Sequence, residues 1–268
     1  RKVPLAADMT QIVTQDEIVN LSIDEINQRI NKAFVYDEYK WQKDNNIKID
    51  FKDRAKNLHK PLYQCPSCLK EHVMDSDKDK IWCTSCHKTY KMDVYGQLKA
   101  IEGKTEFAHI PDWFEFQRAN VRKQIEDGTY HFEDDVTIES LPNTDGYIPL
   151  GRGTLKHDIN GFVLESSELE EKLILNKEPL SMYGLHIEYD YFGKGDCIDL
   201  STHQDTYYIY PLNKKNESNC KIYEPHRIRM VAGIRMHGMD PMRFLVDPTE
   251  RVLAYRSRIR NREMDSEP

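Results

Sequence analysis

Long apolar runs are missing from these 268 residues. No stretch approaches the roughly 20 apolar residues that a membrane-crossing helix needs. The opening residues carry no secretory leader pattern, so a cytoplasmic setting is expected. Glycine and proline number only 12 each, which excludes a collagen repeat, and no internal repeat or low-complexity tract is visible. Positive charge is also short: 38 Lys and Arg face 45 Asp and Glu, for a net charge of −7. A phosphate backbone repels such a chain on average, so nucleic acid is not an expected partner. Hydrophobic residues still make up 39% of the chain, enough to build a core and to exclude a wholly disordered protein. There is no initiator Met before Arg1, which suggests a fragment or a processed chain, and the length suits two modest domains.

Two capping boxes mark the N-terminal part: Thr14-Gln15-Asp16-Glu17 and Ser22-Ile23-Asp24-Glu25. In each, the hydroxyl caps an early helical N–H while the Glu reaches back to the cap. Ile23, Ile26, Ile30, Phe34 and Trp41 then recur at helical spacing. They predict one helix over about 23–44 with a docking stripe that only Asp37 interrupts. A later helix should start at Pro111 and stop before Gly128, anchored by Trp113, Phe114, Phe116, Val121 and Ile125.

Four of the six cysteines form two pairs, Cys65-Pro66-Ser67-Cys68 and Cys83-Thr84-Ser85-Cys86. Each Cys-x-x-Cys turn can aim two thiolates at one ion, and two such turns complete a tetrahedron. Strand-like residues flank both pairs, so this stretch reads as a zinc ribbon. Four thiolates leave no place for water, so the expected Zn²⁺ is structural. His72 and His87 lie close enough to be alternative ligands but read as loop residues. Cys197 and Cys220 stand apart.

From Thr129 the pattern changes to short alternating runs. These are Val136–Ile138, Gly153–Asp158, Phe162–Leu164, Leu173–Leu175, Leu185–Tyr191, Cys197–Leu200 and Tyr207–Tyr210, with an Asn160-Gly161 hairpin turn. The expected fold is therefore α+β: a helical linker, a zinc ribbon, then a mostly antiparallel β-sandwich or small barrel with one preceding helix. The boundaries fall at residues 1–58, 59–100, 101–225 and 226–268. The last segment is foreign in composition, with nine Arg and no Lys. Its basic residues could face phosphate or an acidic partner, but a solvated tail is the simpler reading.

Several segments resemble the region after the catalytic domain in bacterial 1-acyl-sn-glycerol-3-phosphate acyltransferases that carry a C-terminal extension. They are Tyr36-Asp37-Glu38-Tyr39-Lys40-Trp41-Gln42-Lys43, the ribbon, His109-Ile110-Pro111-Asp112-Trp113, His157-Asp158-Ile159-Asn160-Gly161-Phe162 and Glu188-Tyr189-Asp190-Tyr191-Phe192-Gly193. The similarity runs from about Val3 to Tyr210, leaving out the Arg-rich tail. It implies a parent enzyme that moves an acyl chain from a thioester to lysophosphatidate at the cytoplasmic membrane face. The segment before Ser22 is similar to the very end of the acyltransferase domain. The family's Asn-His-x4-Asp and Phe-Pro-Glu-Gly-Thr-Arg-like segments do not occur. One bare His-x4-Asp, His72 to Asp77, lies in the ribbon's connecting loop and is set aside.

Other constellations invite chemistry. His186, Glu188 and Asp190 alternate on a predicted strand, with Asp196 and Asp199 beyond a Gly193-Lys194-Gly195 turn. They could bind a metal or supply an acid and base, but the polar face of a half-exposed strand explains them more simply. Ser201, His203 and Asp205 are too close in sequence to converge as a triad unaided. Gly151-Arg152-Gly153 could nest an anion, and Tyr207, Tyr208 and Tyr210 could stack on a ligand or fill the core.

The leading expectation is a non-catalytic accessory region of a phospholipid-synthesis acyltransferase. Its only site residues are the metal ligands Cys65, Cys68, Cys83 and Cys86, with no catalytic or cofactor-binding residue. Its partner would be the upstream acyltransferase domain or another protein, and it would reach a membrane only through the parent. The alternatives are an independent recognition module for protein or carbohydrate, and a hydrolase using Glu188, Asp190, Asp196 or Asp199.

Overall fold

The structure, a computed structural model, describes residues 9–213 apart from 144, 169–172, 180 and 182–184. The Arg-rich tail and Cys220 lie outside the described residues. Two compact units divide between Trp41 and Gln42.

The first unit holds α1 (Gln15–Asn20) and α2 (Ile23–Ala33). Both capping boxes form as expected, with Glu17 and Glu25 accepting from the backbone of Thr14 and Ser22. The Thr14 backbone N–H, then the Arg29 guanidinium, hold the Glu17 carboxyl down at about 2. The single helix expected over 23–44 is in fact two. α2 ends at Ala33, and α3 (Glu38–Asp44) begins afresh. Asp37 is the reason: its carboxylate accepts from the Lys40 N–H and its carbonyl from the Trp41 N–H. The residue that interrupted the apolar stripe is thus the cap of a new helix. Ile26 is the buried residue of α2, while Val19, Phe34, Val35 and Tyr36 are exposed.

The second unit begins with a four-stranded antiparallel sheet of β1 (Met74–Asp77), β2 (Lys80–Cys83), β3 (Thr89–Met92) and β4 (Leu98–Ala100), paired in chain order. Helix α4 (Ile110–Glu126) follows, with Pro111 in its first turn and Gly128 left-handed just past its end, as the sequence suggested. The β-rich part is mainly one seven-stranded antiparallel sheet curled into a half-barrel. Its strands are β5 (Phe132–Ser140), β6 (Ile148–Asp158), β7 (Gly161–Ser166), β8 (Ile174–Lys177), β9 (His186–Glu188), β10 (Cys197–Ser201) and β11 (Thr206–Pro211). Their order across the sheet is β8-β7-β6-β5-β11-β10-β9. The Asn160-Gly161 turn joins β6 to β7, and Gly161 is required there. Its φ is +112°, and a Cβ would sit 2.0 Å from the Lys177 carbonyl oxygen.

The half-barrel core contains Phe132, Val136, Ile138, Leu155, Leu164, Ile198, Leu200 and Ile209, closed on one side by Val121 and Ile125 of α4. The preceding turns of α4 carry Trp113 and Gln117, both buried. The Trp113 indole N–H donates to the Gln64 carbonyl at 2.9 Å. Gln117 accepts from the Gln64 N–H and donates to the Pro61 carbonyl. One helix therefore joins the half-barrel to the chain that enters the first cysteine turn. Among the described residues, no helix is long and apolar enough to cross a membrane.

The seam is testable. Gln117→Leu keeps the volume but orphans the buried Gln64 N–H, at about 1–3 kcal/mol, and leaves the partly buried Pro61 carbonyl without this donor. Urea unfolding followed by near-UV circular dichroism should show that loss, and an unchanged midpoint would mean that the seam does not hold the two parts together.

Candidate metal centre

The two cysteine turns are built alike. The N–H of Cys65 donates to the Lys70 carbonyl, and that of Cys83 to the Lys88 carbonyl, each at 2.9 Å. The N–H of Leu69 returns to Cys65, and that of His87 to Cys83. Both Leu69 and His87 hold left-handed backbone, φ +64° and +62°. This conformation costs a non-glycine residue energy, and the tight return of each turn demands it. The N–H groups of Ser85 and Cys86 point at the Cys83 sulfur, at 3.3 and 3.4 Å. Lys70 Nζ donates to Ser85 Oγ and ties one turn to the other.

This places the Sγ atoms of Cys65 and Cys86 3.7 Å apart, and those of Cys68 and Cys83 also 3.7 Å apart. All four sulfurs lie within 4.8 Å of one another. A tetrahedron with metal–sulfur bonds of about 2.3 Å has edges of about 3.8 Å, so the spacing suits one ion and is consistent with zinc. It is far too long for a disulfide, and all four are free thiols. Burial raises the Cys65 and Cys83 thiols. Burial acts the same way on Cys86, but the Lys88 backbone N–H and the neighbouring thiols outweigh it and leave that thiol lowered. Loading an ion must therefore expel protons from the two inner sulfurs. His72 and His87 stay outside the cluster: His72 stacks on Tyr63 at 5.1 Å, and His87 serves the turn.

Comparison of the chain with family models, curated proteins and solved structures found no match.

The structure rearranges the other candidates. His186 and Glu188 lie on β9 and face Asp199 on β10, where Asp199 is the cross-strand partner of His186. Asp190 leaves this group, because β9 ends at Glu188 and the chain turns through left-handed Asp190 and Phe192, φ +46° and +50°. Asp196 is buried instead against Lys60, 3.0 Å away, and accepts the Asp190 N–H. The Asp199 carboxyl is pushed up to about 6, chiefly by burial. The buried Cys197 thiol, raised to about 12 by burial and then by the charge of Asp199, donates to it. Asp205 accepts from Ser140 Oγ, and its own N–H is taken by Thr202 in the β10–β11 turn, so it serves that turn. The Gly151–Gly153 nest is filled by the chain itself, since the Arg152 N–H donates to the Glu168 carboxylate. Tyr208 stacks on Tyr191 at 5.3 Å, beside Tyr147.

A sequence reading that weighed charge and alternation could not single out Gln64 and Gln117. The one available signal was a glutamine on the same face as Trp113 and Val121 of a helix, at i+4 from each.

Metal removal gives the next test. Chelation should release one ion per chain and shift tryptophan emission to the red, since Trp82 lies on β2 and Trp113 is seated on Gln64. Cys83→Ser should lose the ion outright. Metal-free protein with unshifted emission would separate the cysteine cluster from the fold.

Proposed function

We propose that this chain is a non-catalytic accessory region of a phospholipid-synthesis acyltransferase, stapled by a structural Zn²⁺ in a ribbon of the four-cysteine type. The half-barrel is then the small-barrel form of the expected β domain. The parent would acylate lysophosphatidate to phosphatidate at the cytoplasmic face of the membrane, and this chain would meet the membrane only through it. The acyltransferase parent rests on the resemblance of the segments quoted above.

One observation supports an accessory role more than any other. Val19, within the segment similar to an acyltransferase terminus, and Phe34, Val35 and Tyr36 after it are each more than 60% exposed. Single exposed apolar residues need no explanation, but four within 18 positions suit contact with another domain. The closed set of four thiolates agrees, because it offers no open position for substrate or water. The His-x4-Asp match adds no catalytic pair: His72 is stacked on Tyr63, and Asp77 ends β1 opposite Lys80. The second reading, a recognition module, draws on Tyr189 and Phe192, exposed on the turn after β9.

The test uses residues 1–268 alone and joined to the upstream acyltransferase domain, with lysophosphatidate and acyl-CoA. The chain alone should give no turnover, and the joined protein should be active. Phe34→Asp with Val35→Asp should leave the isolated chain within about 0.5 kcal/mol of its stability, as for exposed positions, while weakening the joined protein. Turnover by the isolated chain, or a joined protein indifferent to both substitutions, would overturn the reading.

A further inference from the structure

We propose that His186, Glu188 and Asp199 form a second cation site, an open one for a first-row divalent ion, on the outer face of the half-barrel. The inference is independent of the acyltransferase reading.

The backbone supplies the convergence. His186 and Glu188 are two apart on β9 and so share a face, while Asp199 sits directly across from His186 on β10. Ile187, Ile198 and Leu200, which alternate with them, belong to the core or pack on it, so this trio occupies the opposite face of the sheet. An imidazole nitrogen and two carboxylate oxygens lie within 4.8 Å of one another, with His186 Nε2 and Glu188 Oε1 at 2.8 Å. Bonds of about 2.1 Å place neighbouring donors about 3 to 3.5 Å apart around one ion. The His186 side chain is 67% exposed and free to close the difference, whereas Asp199 is held from behind by the Cys197 thiol. β9 is the last strand of the sheet order, so the trio lies at an edge that water can reach.

A second His–Glu pair, with Glu133 on the same sheet and His131 just before β5, shows why this trio differs from ordinary strand polarity. His131 and Glu133 are also two apart, 3.4 Å from each other and similarly exposed. There the cross-strand partner of Glu133 is Lys156, whose ammonium lies 3.4 Å from the carboxylate. The chain supplies that site with its own cation. At His186 the cross-strand position holds a further carboxylate, and among the described residues no lysine or arginine pairs with Glu188 or Asp199. Two carboxylates and an imidazole without a protein cation are the donor set of a divalent transition ion. The imidazole disfavours Mg²⁺ and Ca²⁺, which take oxygen ligands. Three protein donors leave at least one position for water, in contrast to the closed cysteine cluster.

The experiment is calorimetric titration of Zn²⁺ into tag-free protein whose cysteine cluster is already loaded. Wild type should take up one further equivalent. His186→Ala, at an exposed position, should weaken it by at least about tenfold, the lower end of what even an outer-shell partner is worth. Asp199→Asn should do the same, with near-UV circular dichroism to verify its fold, and His131→Ala should change nothing. Absence of a second equivalent in wild type overturns the proposal. So does a second equivalent that survives His186→Ala, or one that His131→Ala weakens equally.

Discussion

The second unit depends on three hydrogen bonds around Gln64. Its carbonyl takes the Trp113 indole N–H, its N–H goes to Gln117, and Gln117 also holds the Pro61 carbonyl. Both side chains come from α4, whose last turns close the half-barrel core through Val121 and Ile125. Gln64 is the residue before Cys65, so any ion that fixes Cys65 also fixes the backbone on which α4 is seated. A buried polar seam of this kind adds little while complete and costs heavily when broken. Through it, an ion held by the four cysteines would constrain the whole unit.

A second strut runs parallel to the first. Lys60, 15% exposed, pairs with Asp196, 4% exposed, and its ammonium lies 4.3 Å from the centre of the Tyr189 ring. Asp196 in turn takes the Asp190 N–H. A buried pair contributes modestly to stability, because desolvation offsets the attraction, but it fixes geometry. Here it fixes the turn after β9, where Asp190 and Phe192 hold a left-handed backbone that costs energy at non-glycine positions. The strain is local, and the restraint comes from the chain beside the first cysteine turn.

Much of this was legible in the sequence because the signals were local. The two Cys-x-x-Cys turns, both capping boxes, the Pro111 start and Gly128 stop of α4, and the Asn160-Gly161 hairpin each need only a few neighbouring residues. The alternation of Val136, Ile138, Ile198 and Ile209 was equally readable, since a strand with one buried face writes period two into its residues. The break between α2 and α3 was misread because Asp37 looked like a flaw in a stripe, although capping is what an Asp does best beside a helix. The seam was invisible: Gln64 and Gln117 are 53 residues apart and polar, and nothing local marks them as buried.

The trio of His186, Glu188 and Asp199 shows the same limit from the other side. Alternation placed His186, Glu188 and Asp190 together, and that holds only while the strand continues. It stops at Glu188, and a turn with two left-handed non-glycine residues redirects the chain. Such residues leave no compositional trace, unlike glycine. The turn sends Asp190 away, buries Asp196 against Lys60, and returns Asp199 opposite His186. Of five polar residues that looked equivalent in sequence, one becomes a loop residue, one half of a buried ion pair, and three a converging set of donors. The register of one short antiparallel pair makes that selection, and the strut from Lys60 holds the turn that sets the register.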